Sequence, residues 1–161
     1  GSDPLMRSEF YTLFGDIAFR QNRTEEAFAY YDKALENNPQ NYGALNNYSY
    51  YLALLGKNLD KAERMSGEVI KANPDNATYL DTYAWVYFKQ GRYSLARLYL
   101  KKALDLSKEA SAEMYEHYGD VLAVTGNESE AVGWWKKAVD AGGDSEILHR
   151  KIAEKRYIGN E

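Results

Sequence analysis

Apolar residues recur along this chain with the three-and-four spacing of helices that bury one face. One series of segments carries Tyr11-Phe14-Gly15-Ala18, Leu45-Tyr48-Ser49-Leu52, Leu80-Tyr83-Ala84-Tyr87 and Tyr115-Tyr118-Gly119-Leu122. A second series, lying between them, carries Ala27-Tyr31-Ala34, Ala62-Ser66-Val69, Ala96-Leu100-Ala103 and Ala131-Trp135-Ala138. Turn-forming phrases separate the segments: Asn38-Pro39, Asn73-Pro74-Asp75-Asn76, Lys89-Gln90-Gly91-Arg92 and Val124-Thr125-Gly126-Asn127. The pattern predicts helices near 5–20, 24–37, 42–55, 59–73, 77–90, 93–107, 112–125 and 128–141, with no strand. Glu25 and Glu26 open a second-series helix, where carboxylates favour the positive end of the helix dipole. Asn127 followed by Glu130 has the spacing of a capping box.

Two ladders of small residues run through the segments. Ala27, Ala62, Ala96 and Ala131 are separated by 35, 34 and 35 positions, and Gly15, Ser49, Ala84 and Gly119 by 34, 35 and 35. A small side chain lets two helix backbones approach, and a large residue beside it fills the gap. One helix pair cannot bury both of its apolar faces, so neighbours must stack. A period of about 34 residues with this large–small pairing resembles the tetratricopeptide repeat. The resemblance implies an all-α solenoid, a right-handed superhelix of antiparallel helix pairs. It is expected to run through the whole of 1–161 as a single array, with repeats at about 8–41, 42–76, 77–111 and 112–145. Pro39 and Pro74 close the first two repeats; Lys108 and Gly143 stand at those places in the last two.

A further amphipathic stretch at about 145–157 has Ile147, Leu148, Ile152 and Ala153 on one side. Glu146, Arg150, Lys151, Glu154 and Lys155 lie on the other. It is expected to cap the last repeat and turn its polar side to water. The N-terminal helix has no such cover for Leu5, Phe10, Tyr11 and Phe14. The chain is therefore expected to be the C-terminal piece of a longer repeat protein, with weak self-association through that helix.

Composition changes the picture mainly by exclusion. Of 161 residues, 45% are hydrophobic and only 3 are Pro, which suits packed helices. A net charge of −4 gives no electrostatic reason to bind nucleic acid or an anionic membrane. There is no Cys, hence no disulfide or thiolate metal site, and no apolar run long enough to insert in a membrane. Gly1 resembles a tag remnant. His117 and His149 stand apart, without metal-ligand spacing, and Gly142-Gly143 reads as a helix stop rather than a phosphate loop. No catalytic set, metal or cofactor is expected.

In tetratricopeptide arrays the first helix of each repeat lines a concave groove where partner peptides lie. The resemblance therefore nominates first-helix residues left over by the packing pattern. These are Glu9, Thr12, Leu13, Asp16, Phe19 and Arg20 in the first repeat and Asn46, Asn47 and Tyr50 in the second. Asp81, Thr82, Trp85, Phe88 and Lys89 follow in the third, and Glu113, Glu116, His117 and Asp120 in the fourth. The expected site is Asn46, Asn47, Tyr50, Asp81, Thr82, Trp85, Phe88, Glu116, His117 and Asp120. Asn side chains can pair with a peptide backbone. Tyr50, Trp85 and Phe88 are nominated as exposed aromatic anchors, and the carboxylates favour a neutral or basic protein or peptide segment. Chaperone-binding members grip a C-terminal carboxylate with Lys, Asn and Arg. Those positions read Thr12, Asp16, Asn47, Thr78 and Thr82 here, and only Asn47 fits.

The expected function is a non-catalytic scaffold or adaptor. The alternative is the recognition or regulatory region of a larger enzyme or secretion or envelope assembly. Leu45–Tyr51, Asn58-Leu59-Asp60-Lys61-Ala62 and Tyr79–Tyr93 resemble repeats of bacterial envelope proteins. That implies a bacterial periplasm or cell envelope, with the cytoplasm as the alternative.

Overall fold

The computed structural model describes residues 3–159, so Gly1 lies outside the described residues. Nine helices and no strand occur among them: α1 Pro4–Arg20, α2 Thr24–Asn37, α3 Tyr42–Leu55, α4 Leu59–Ala72, α5 Ala77–Lys89, α6 Tyr93–Leu106, α7 Ala112–Val124, α8 Glu128–Asp140 and α9 Glu146–Glu154. The first eight fall within a residue of the spans that periodicity predicts. The ninth is shorter, because Lys155 takes a left-handed conformation (φ 56°) and ends it. The helices group into two compact units, 1–72 and 73–161. No helix among the described residues is long and apolar enough to cross a membrane.

Local chemistry fixes where each helix begins. Asp3, Asn41, Asn76, Ser111 and Ser145 each accept a backbone N–H with the side chain, capping α1, α3, α5, α7 and α9. Helices α2, α6 and α8 follow tight turns instead. A residue with positive φ (Asn22, Gly91 or Gly126) lets the next N–H reach back to Ala18, Tyr87 or Leu122. Asn127 makes no side-chain cap, so the expected capping box is not formed; the turn has already oriented the chain.

In the first unit α1 pairs with α2 and α3 with α4. Ala27 and Ala62 are wholly buried, as are Gly15 and Ser49. The Tyr31 ring occupies the space over Gly15 so closely that a Cβ there would lie 2.7 Å from it. In the second unit α5 pairs with α6, α7 with α8, and α9 packs on α8. Ala84, Ala96 and Ala131 are fully buried, and Trp135 lies against Gly119, where a Cβ would meet its indole nitrogen at 2.5 Å. Each glycine thus faces one of the two largest fully buried side chains of the molecule's described residues, both on second-series helices.

The two ends differ. Leu5, Met6, Phe10, Leu13, Phe14 and Ile17 leave an apolar face of α1 exposed. Leu148 of α9 is buried, as the capping pattern requires, but so is Lys151, which the sequence assigned to water, while Ala153 is exposed. Leu148, Lys151 and Ile152 share one side of the helix at three-and-four spacing, and the lysine has partners there.

Candidate functional site

In the first unit the nominated polar residues of α1 and α3 form a small network. The Asn47 amide donates to both oxygens of Asp16, at 3.1 and 3.3 Å, and Asp16 also accepts the Tyr31 hydroxyl proton. Burial and this carboxylate push the Tyr31 hydroxyl well above its ordinary pKa, so it stays a donor. Asn46 is buried, donates to Asn47 Oδ1 at 3.4 Å, and its own carbonyl oxygen has no partner. Tyr50 is half-buried and lies against Tyr51, whose ring stacks on Phe19 at 3.8 Å.

In the second unit seven nominated residues of α5 and α7 make contacts with one another or with α8 and α9. His117 Nδ1 lies 2.8 Å from Asp81 Oδ1, and His117 Nε2 lies 3.8 Å from Glu113. The imidazole stacks on Trp85 at 3.9 Å, and Trp85 stacks on Phe88 at 4.4 Å. Burial works against the imidazolium, but Asp81, then Glu113 and Asp120, more than offset it and raise the His117 pKa. The Trp85 indole N–H has no partner. Asp120 accepts from Trp135 Nε1 at 3.0 Å and meets Lys151 Nζ at 2.9 Å; Glu116 meets the same ammonium at 2.7 Å. Burial pushes the Asp120 carboxyl up to about 6, outweighing the opposing pull of Lys151.

Exposure differs from expectation at the aromatic positions. Trp85 and Phe88 are only 6% and 4% exposed, and Thr82, Asp81, His117 and Asp120 are buried as well. Their rings stack on one another, and Phe88 also meets Tyr93 and, edge-on, Tyr157. Trp85 and Phe88 are therefore part of the packing and not free-standing anchors. Sequence reasoning missed Lys151 and Tyr157. For Lys151 the usable signal was its three-residue spacing from Leu148; for Tyr157 there was none, since it follows the end of α9. Among the described residues there is no cluster of three or more His, Asp or Glu placed to hold a metal ion.

Comparison with known proteins follows the repeat geometry. Family models described as tetratricopeptide repeat match residues 56–111 and 82–146, 8–41, and 30–64. The chain is 32% identical over 157 residues to the TPR repeat-containing protein MJ1428 of Methanocaldococcus jannaschii, covering 98% of this chain and 27% of that one. It is also 32% identical over 82 residues to the TPR repeat-containing protein PA4667 of Pseudomonas aeruginosa, covering 51% of this chain and 14% of that one. The chain thus spans about a quarter or less of the curated relatives it matches. Among solved structures, Pseudomonas aeruginosa pilF superposes with a TM-score of 0.78 at 19% identity, over 96% of this chain and 69% of that one. YrrB, described as a TPR protein with an unusual peptide-binding site, gives 0.61 at 23% identity, over 90% of this chain and 74% of that one. At these identities the structures show the fold alone.

Proposed function

The chain belongs to the tetratricopeptide-repeat family, and from that premise we propose that it is a non-catalytic module holding a neutral or basic segment of a protein partner against its first-series helices. One observation carries this reading. Helices α2, α6 and α8 bury only Ala, Tyr, Leu and Trp, and α4 adds a single polar residue, Ser66. Helices α3, α5 and α7 bury Asn46, Asp81, Thr82, His117 and Asp120. Polar and ionisable groups are costly to bury and contribute little to a helical core, so their concentration on one series points to recognition. The peptide-binding site named for YrrB lends support by analogy of fold.

The test uses the first unit, where Asn47 and Tyr50 are only half-buried. A partner is first captured with the unaltered chain and its affinity measured. The double variant Asn47→Ala, Tyr50→Ala is expected to keep its helicity and to bind at least thirtyfold more weakly, about 2 kcal/mol. Unchanged affinity would exclude this surface. A second reading, a recognition region within a larger enzyme, draws on the likeness to a Thermobaculum terrenum O-GlcNAc transferase mutant, with a TM-score of 0.64 over 22% of that chain. The length of the parent gene separates the two. The apolar face of α1 adds a further expectation, weak pairing with another copy of the chain.

A further inference from the structure

We propose that the α5–α7 face is a binding site for a helical basic segment carrying a lysine and, six residues on, an aromatic ring, and that the chain's own C-terminal segment occupies it as an intramolecular ligand. The inference rests on the binding-module reading and names the partner chemistry of one face.

The segment meets the nominated residues themselves. Lys151 reaches from α9 to Glu116 at 2.7 Å and Asp120 at 2.9 Å on α7, with its side chain only 4% exposed. Six residues on, the Tyr157 ring packs edge-on against Phe88 at 5.3 Å between centroids, and Lys151 Nζ lies 5.4 Å from that ring. Phe88 is one end of the stack that runs through Trp85 to His117.

The chemistry is unlike that of a cover made for stability alone. An apolar side chain at position 151, with a neutral acceptor for Trp135 Nε1 at 120, would cap the unit without desolvating two charges. A buried ion pair roughly returns what its desolvation costs, and its benefit is selectivity for the matching charge. Helix α9 has nine residues, fewer than the ~12–15 an isolated helix needs, so its order depends on docking. It follows Gly142, whose backbone is left-handed (φ 107°), and Gly143. The buried N–H of Trp85, whose ring stacks on Phe88, has no acceptor. A partner that offers one there gains a hydrogen bond the resident segment lacks, and so can displace it.

The experiment keeps the full chain. A fluorescent peptide copying residues 144–159 is titrated into the unaltered chain and into Tyr157→Ala and Lys151→Met. Both variants are expected to take up the peptide at least tenfold more tightly, because their own segment competes less. Adding Glu116→Gln to Tyr157→Ala is expected to remove the gain, and a scrambled peptide of the same composition is expected to show none. Amides of 146–154 in the unaltered chain should exchange faster than those of 128–140. Because Lys151→Met strands Asp120, Tyr157→Ala decides the matter if the other variant unfolds. A folded Tyr157→Ala chain that binds the peptide no better than the unaltered chain, or no better than the scrambled peptide, overturns the proposal. That result would leave the Asn47 and Tyr50 test untouched, and failure of that test would not alter this one.

Discussion

A single methyl group decides how closely the paired helices can approach at Gly15 and Gly119. A Cβ at Gly119 would stand 2.5 Å from the Trp135 indole and 3.1 Å from the Ala131 carbonyl oxygen, which cannot yield without separating α7 from α8. Gly119→Ala should therefore cost about 1–3 kcal/mol in denaturant unfolding. Gly133, inside α8, has open space where its Cβ would be. Gly133→Ala should instead stabilise by up to about 1 kcal/mol, since only helix propensity changes. Opposite signs for two Gly→Ala changes on one helix pair would identify packing as the cause, and equal signs would rule it out. His117 makes a second residue-scale test. Asp81, Glu113 and Asp120 raise its pKa above the ordinary 6.5 on folding. The folded chain then holds the imidazole proton more tightly, a contribution complete below pH 6.5 and lost as pH rises through the raised value. Asp120, pushed up to about 6, contributes in the same direction over a lower window. Melting temperature should fall from pH 6 to pH 8, and His117→Gln should flatten that fall; an unchanged slope would remove His117 as its source.

Among the helices, α4 is the one whose inner face is incompletely furnished. Ser66 stands where the other second-series helices bury Tyr31, Leu100 and Trp135, and its buried hydroxyl has no partner. Gly67 follows, at a cost of roughly 1 kcal/mol against Ala in a helix interior. Amide exchange should accordingly be faster over 59–72 than over 93–106, and equal protection would mean that neighbouring contacts make up the difference. The helices themselves were legible because their information is local and repeated four times. Ala27, Ala62, Ala96 and Ala131 fix the phase of the second series, and Gly15, Ser49, Ala84 and Gly119 that of the first. Exposure on the first-series helices was less legible. Sequence spacing places Trp85, Phe88 and His117 one turn apart from their neighbours, but only side-chain packing turns them into a buried stack. Lys151 was illegible for a related reason. A charged residue is assigned to water by default, and its burial depends on Glu116 and Asp120, 35 and 31 residues upstream. The cap at Asn127 failed for the converse reason, since a local motif was present but the Gly126 turn had already set the chain's course.

At the scale of the whole molecule, charge and apolar surface act on different partners. The chain carries 24 acidic against 20 basic residues, and the ten residues of the expected site include Asp81, Glu116 and Asp120 but no Lys or Arg. Attraction of a basic segment should weaken as salt shortens the Debye length from about 10 Å at 0.1 M to about 3 Å at 1 M. Affinity for a captured partner should fall over that range; an affinity that rises would point to apolar contacts instead. The apolar surface lies elsewhere. A repeat array stays soluble when its terminal helices present polar outer faces. Helix α9 does so, with Glu146, His149, Arg150 and Glu154 exposed, whereas α1 exposes Leu5, Met6, Phe10 and Leu13, each more than half accessible. Apolar surface of this kind favours association, opposed here by the repulsion of like net charges. Sedimentation velocity should therefore show weak, concentration-dependent pairing that strengthens with salt, the reverse of the behaviour expected for a basic partner. Met6 and Phe10 are one helical turn apart on the exposed face of α1. Met6→Glu with Phe10→Glu should abolish the pairing while leaving the melting temperature within about a degree or two, because both side chains are already more than half exposed. If the unaltered chain sediments as a monomer at every concentration and salt, this face of α1 does not pair with its own kind.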